Sequence, residues 1–342
     1  MKNKIKIIIA AILSVAFCLT GCNTQTVEQN DKYKIVCSIF PQYDWVNNIV
    51  GDCENIEVSL LVDNGVDLHS YQATADDIIT ISQCDMFIYV GGESDKWVEE
   101  VLKQANNESM VVIDMMDVLS ESIIEETVIE GMTQNEHEHG DEDEHDDTDG
   151  HNDTAEHDDE EIEYDEHVWL SIENAKTICS KIAECLINGN VENETVITAN
   201  LEAYLNELDS IDKEYKDAME KAENNTIIFG DRFPFSYLVN EYNINYYAAF
   251  VGCSAETEAS FETVKFLANK LDEYNIDYIF IVDNSNANLA QSIIDNSNKK
   301  DRQILTLNSM QSVTDADISN GANYCDIMRD NLENIKTALS IN

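Results

Sequence analysis

The chain is poor in positive charge. Lys and Arg together number 20 against 68 Asp and Glu, for a formal net charge of −48, and no basic residue occurs between Lys103 and Lys176. Such a balance excludes nucleic acid and anionic membrane surfaces as electrostatic partners and favours cations. Proline is nearly absent, with two in 342 residues, so nothing interrupts long helical stretches. Past the first 21 residues no apolar run is long enough to span a bilayer. The cysteines include no CxxC pair, so neither a thiolate zinc site nor a disulfide framework is signalled. There is no HExxH pair, nucleophile elbow or phosphate loop, and no enzymatic reading has support.

What is present starts with the N-terminus. Lys2, Lys4 and Lys6 precede an apolar run from Ile7 to Leu19, which reads as an export signal over residues 1–21. The run ends in Leu19-Thr20-Gly21-Cys22, which resembles the bacterial lipoprotein cleavage box. On that reading Cys22 carries the lipid that holds the protein on the extracytoplasmic face of the cell membrane, and residues 22–32 form a tether. Beyond Cys18 and Cys22, seven cysteines remain (Cys37, Cys53, Cys84, Cys179, Cys185, Cys253 and Cys325), scattered as small core residues are.

From residue 33 onward, short apolar segments alternate with segments of helical periodicity. Strands are expected at 33–39, 56–62, 85–91 and 110–114, and again at 226–229, 244–250, 278–283 and 303–307. Thr74, three residues before Asp77, has the spacing of a helix start. Between the two sets, Leu201, Tyr204, Leu205, Leu208, Ile211, Tyr215 and Met219 fall on one face of a helix of over twenty residues. The expected fold is α/β in two lobes, each a mostly parallel sheet flanked by helices. The N-terminal lobe is 33–192, the linking helix 193–224 and the C-terminal lobe 225–342. Ligands in such folds bind at the carboxyl ends of strands, and between lobes where there are two.

Five of the seven histidines (His137, His139, His145, His151 and His157) lie in a run of carboxylates within 132–166. That segment cannot bury apolar surface, so it is expected to be a solvated loop that chelates metal weakly. Its histidines recur every six residues from His139, a spacing that makes no helical metal face. The other two sit differently: His69 follows the strand 56–62, and His167 precedes a helix. Two histidines at inter-lobe positions flanked by acids point to a metal site. Both rings must be neutral to bind, so protons should compete below about pH 6.5.

Around these two histidines the sequence resembles the metal-specific solute-binding lipoproteins of bacterial ABC importers, the zinc and manganese cluster. "GVDLHSYQATADD" is similar to that family's Gly-x-x-x-His-x-Tyr motif, and "DEHVWLSIENAK" to its Asp-Pro-His-x-Trp-Leu motif, with Glu166 in place of proline. The resemblance runs from about residue 33 to the end. It implies a rigid bridging helix, a buried metal between the lobes, an ABC permease as partner and a monomer. By resemblance His69 and His167 are ligands, and Asp283 matches a third at the end of a strand. In "FGDRFPFSYL" Gly230 occupies the place of the remaining histidine, which leaves Asp231 as the nearest donor. Two imidazoles with carboxylates suit zinc and tolerate manganese or iron. Cys253, after a strand of the second set, would favour zinc if it faced the cleft, and is left outside the expected ligand set. The competing functional readings are a surface lipoprotein for adhesion or metal buffering and a metallohydrolase.

Overall fold

The computed structural model describes residues 32–133, 163–254 and 258–341. The leader, Cys22 and the loop histidines His137, His139, His145, His151 and His157 lie outside them. The described residues from Tyr33 onward form one compact unit.

The first strand set forms a four-stranded sheet ordered β2-β1-β3-β4, from Tyr33–Cys37 (β1), Ile56–Leu60 (β2), Met86–Tyr89 (β3) and Val111–Asp114 (β4). Every pairing in it is parallel. Ile35, Phe87 and Ile88 are fully buried, as expected of strands covered on both faces. Helices cross between the strands, among them Ala75–Ser82, whose start carries the expected capping box. The Thr74 hydroxyl accepts from the Asp77 N–H at 3.2 Å, and the Asp77 carboxylate accepts from the Thr74 N–H at 2.8 Å.

The second set comprises β5 (Thr226–Ile228), β6 (Arg232–Phe233), β7 (Asn245–Tyr247), β8 (Phe250–Val251), β9 (Tyr278–Val282) and β10 (Gln303–Leu307). The pairs β5-β7, β6-β8 and β9-β10 are all parallel. A bridge from Phe229 to Phe280 and the Gly230 N–H donating to the Phe280 carbonyl at 2.8 Å join β5 to β9. The expected strand 244–250 is split. Its first part pairs with β5, and its end pairs with β6, a two-residue strand too short to show in the sequence pattern. The result is α/β with parallel sheets flanked by helices.

The long helix is Glu194–Met219, 26 residues and about 39 Å at the usual rise. Asn193 caps it, and Ile197, Tyr204, Leu208, Ile211 and Tyr215 bury one face. Hydrogen bonds tie it to helices on either side. Tyr204 donates to Asp44 in the helix Phe40–Val50 at 3.2 Å, and Tyr215 donates to the Met328 carbonyl in the helix Tyr324–Ala338 at 2.7 Å. Among the described residues no helix is long and apolar enough to cross a membrane.

Candidate metal centre

Five side chains reach one place from five segments. His69 sits in a 3-10 turn, Leu68–Ser70, after β2, and the Asp67 carboxylate caps that turn by accepting the His69 N–H at 3.0 Å. Ser94 follows β3, Cys253 follows β8 and Gln311 follows β10, each past the carboxyl end of a parallel strand. His167 stands at the N-cap of a second 3-10 turn, Val168–Leu170, which leads into the helix Ile172–Asn188.

His167 is fully buried and tightly held. Asp165 Oδ1 accepts both its backbone N–H and its ring Nδ1–H, each at 2.8 Å. The proton therefore lies on Nδ1, and Nε2 presents a lone pair. Trp169 packs against the ring with centroids 5.3 Å apart, and is itself fixed by donating to the Ser309 carbonyl at 2.8 Å. His69 Nε2 lies 3.1 Å from His167 Nε2, and the Gln311 amide nitrogen lies 2.9 Å from that same atom. A tetrahedral zinc with ordinary Zn–N bonds has donors about 3.3 Å apart, so the two rings nearly hold that spacing already.

Cys253 completes a group of three. One ring nitrogen from each histidine and the Cys253 sulfur all lie within 4.8 Å of one another. Burial, followed by the nearby Glu126 charge, pushes the Cys253 thiol well above its ordinary range. Glu126 also accepts the Cys253 N–H at 3.0 Å, which fixes the loop. Burial and then the neighbouring His167 lower the His69 imidazole from 6.5 to about 3. That ring therefore stays neutral far below pH 6.5, contrary to the expectation of simple proton competition at both histidines. A cavity of about 310 Å³ opens beside His69 and Cys253, lined also by Glu126, Glu163 and Glu166, and gives a cation an acidic approach.

Asp231 and Asp283 are not brought into this group. They line a separate polar cavity of about 340 Å³ with Arg232 and Ser312. Asp231 accepts the Arg232 N–H at 2.9 Å and the Val282 N–H at 3.1 Å, and so staples β6 to β9. Asp283 accepts from the Ser309 N–H at 2.6 Å, the Ser309 hydroxyl at 2.8 Å and the Ser312 hydroxyl at 2.5 Å. Arg232 pairs with Asp67 rather than with Asp231. One further acidic group, Glu173, Asp212 and Glu241, is already served by Lys216, 2.7 Å from Asp212, and by the Tyr242 hydroxyl.

Gly230 has a packing reason. A Cβ there would stand 2.7 Å from Ala290 Cα and 2.8 Å from its Cβ, in the helix Asn288–Asn296. Gly230→His is therefore expected to add no ligand. It should destabilise the protein by at least about 1–3 kcal/mol, as overpacked cores do. Thermal melts with and without zinc would check this; a parental melting point with tighter zinc binding would refute it.

Cys253, which the sequence left outside the expected ligand set, lies with the two histidines; an isolated cysteine carries no spacing signal. Its one available sign was its position just past a strand, behind Gly252, where an added Cβ would stand 3.1 Å from the His167 ring. Gln311 and Glu126 gave no sign at all, since Gln311 meets His167 and Glu126 meets Cys253 only across long stretches of chain.

The chain matches the family described as "Zinc-uptake complex component A periplasmic" over residues 35–338. It is 26% identical over 337 residues to the zinc-binding lipoprotein AdcA of Streptococcus pneumoniae, an alignment covering 98% of this chain and 60% of that protein. It is also 26% identical over 336 residues to the high-affinity zinc uptake system protein ZnuA of Bacillus subtilis, covering 98% and 97%. In fold it is similar to the metal-dependent lipoprotein YcdH of Bacillus subtilis, with TM-score 0.68, 22% identity and coverage of 91% and 100%. The periplasmic zinc-binding protein TroA of Treponema pallidum gives TM-score 0.68 at 21% identity, covering 90% and 99%. With nearly the whole described chain inside the family match and the two motif histidines face to face, the protein belongs to the zinc-uptake complex component A family of solute-binding proteins.

Proposed function

We propose that this protein captures one zinc ion outside the membrane with His69, His167 and Cys253 and delivers it to the permease of an ABC importer. The observation that carries the ligand set is the 3.1 Å approach of the two Nε2 atoms with the Cys253 sulfur in the same group. A thiolate with two imidazoles is a soft donor set that selects zinc over manganese. The fourth position faces the acidic cavity, where water or a carboxylate completes the tetrahedron. The names of the zinc-binding and zinc-uptake relatives support the same cargo, although the chain spans only 60% of the pneumococcal one. Lipid attachment at Cys22, a monomeric state, the two-lobe division around Glu194–Met219 and an accessory role for the loop histidines belong to this proposal. Asp231 and Asp283 are assigned to the architecture that positions Arg232, Ser309 and Ser312.

Competition against a calibrated chelator tests the reading. The parent should bind one zinc tightly, and deletion of 134–162 should remove only weak sites. His69→Ala should abolish tight binding, whereas Asp231→Ala should cost less than about tenfold, or 1.4 kcal/mol, while lowering the melting temperature. Tight binding that survives His69→Ala, or vanishes with Asp231→Ala in a folded protein, would refute the ligand set.

A further inference from the structure

Asp165 holds the His167 proton on Nδ1, so His167 Nε2 offers one lone pair, 2.9 Å from the Gln311 amide nitrogen and 3.1 Å from His69 Nε2. A metal taken up between the rings needs the lone pair of His69 Nε2, so the neutral His69 ring must bind it with its proton on Nδ1. The Ser94 hydroxyl oxygen, 2.7 Å from Nδ1, is a neutral acceptor for that proton, and a charged acceptor would hold it more strongly.

One is already in place. Glu166 is 2% exposed, and its Oε2 lies 3.6 Å from His69 Nδ1 with no hydrogen-bond partner. Its other oxygen is anchored by the Ser94 N–H at 2.9 Å. Gly92 makes room for it, since a Cβ there would stand 2.4 Å from Glu166 Oε1. A buried carboxylate oxygen left without a donor is costly, and such a group calls for an explanation. With metal on Nε2, His69 Nδ1 carries a proton, and Glu166 then faces a charge-assisted donor within a few tenths of an ångström of bonding distance.

We propose that Glu166 is the positioning residue for His69, its free oxygen accepting the Nδ1–H of the metal-bound ring as Asp165 does for His167. Each ligating imidazole is then backed by its own carboxylate, the arrangement that fixes ring orientation and raises donor strength. The proton balance closes. The neutral His69 ring carries one proton throughout, on Nδ1 whenever Nε2 holds the metal, and the Ser94 hydroxyl then turns its own proton away from Nδ1. This inference rests on the zinc site described above.

The test combines chelator competition with nitrogen-15 NMR of the histidine rings, on parent, Glu166→Gln and Glu93→Gln. In the zinc-loaded parent the His69 proton should lie on Nδ1, with the shifted signal of a hydrogen bond to a carboxylate. Glu166→Gln should lose that signature and weaken zinc about 10- to 100-fold. Glu93, 63% exposed and paired with Lys96 at the rim, removes the same charge without the contact, and its variant should bind nearly as the parent does. Parental affinity and an unchanged Nδ1–H signal in Glu166→Gln would overturn the assignment, as would an equal loss in Glu93→Gln, which would mark a field effect. A parent whose His69 ring does not respond to zinc would overturn the site itself and the assignment with it.

Discussion

Cys253→Ala should weaken zinc binding by roughly 100-fold, about 2.8 kcal/mol, and narrow the preference for zinc over manganese. The sulfur is the one soft donor in the group with His69 and His167, so its removal leaves two imidazoles and whatever oxygen the cavity supplies. Manganese tolerates such an oxygen-rich set better than a thiolate one, so the margin by which zinc is favoured shrinks. Asp283→Ala is the informative comparison. Its carboxylate is occupied by Ser309 and Ser312, so that variant should lose thermal stability before it loses zinc. Cobalt makes the outcome visible, because a thiolate-to-cobalt charge-transfer band should appear in the parent and be absent from Cys253→Ala. A cobalt-loaded parent without that band, or a variant with parental zinc affinity, would remove Cys253 from the ligand set.

Zinc capture should release about one proton near neutral pH, and affinity should rise about tenfold per pH unit between pH 6 and 8. The sign follows from the two shifted groups. Burial and Glu126 hold the Cys253 thiol above its ordinary range, so in the empty protein it carries a proton that the metal must displace. Raising the pH removes that competition. His69 contributes nothing in this window, because burial and His167 lower its pKa to about 3 and it is already neutral. The same shift makes the empty protein less stable in acid. Below about pH 6.5 the unfolded ring takes a proton that the folded ring refuses until about pH 3, so stability is lost as pH falls through that interval. Calorimetric titration of zinc in buffers of different ionisation heats counts the protons. A count of zero with a flat affinity would show that carboxylates and neutral imidazoles hold the ion without the thiol.

Much of the architecture was legible in the sequence because it is written in local patterns. The four strands of the first sheet fall within the expected segments, the Thr74 capping box forms as spaced, and the long helix runs from Glu194 to Met219. Periodicity and capping depend on neighbours a few residues away, which the chain specifies directly. The break between β7 and β8 was not legible, since only pairing with the two-residue β6 ends one ladder and starts the other. His69 and His167 stood out through the motifs around them, and the structure brings their rings within 3.1 Å although 98 residues separate them.

The sequence by itself determined the acidic character, the strand and helix order, and the two histidines at strand and helix ends. Tertiary structure decided which other groups join them. Cys253 and Gln311 come from segments far along the chain, and no spacing rule ties a lone cysteine or glutamine to a histidine so distant. Asp231 and Asp283 had the right chemistry, but they lie outside the His69–His167–Cys253 group and accept hydrogen bonds from β9 and the Ser309–Ser312 turn. A ligand set depends on which lone pairs remain free after the backbone has taken what it needs, and that accounting exists only once the chain is folded.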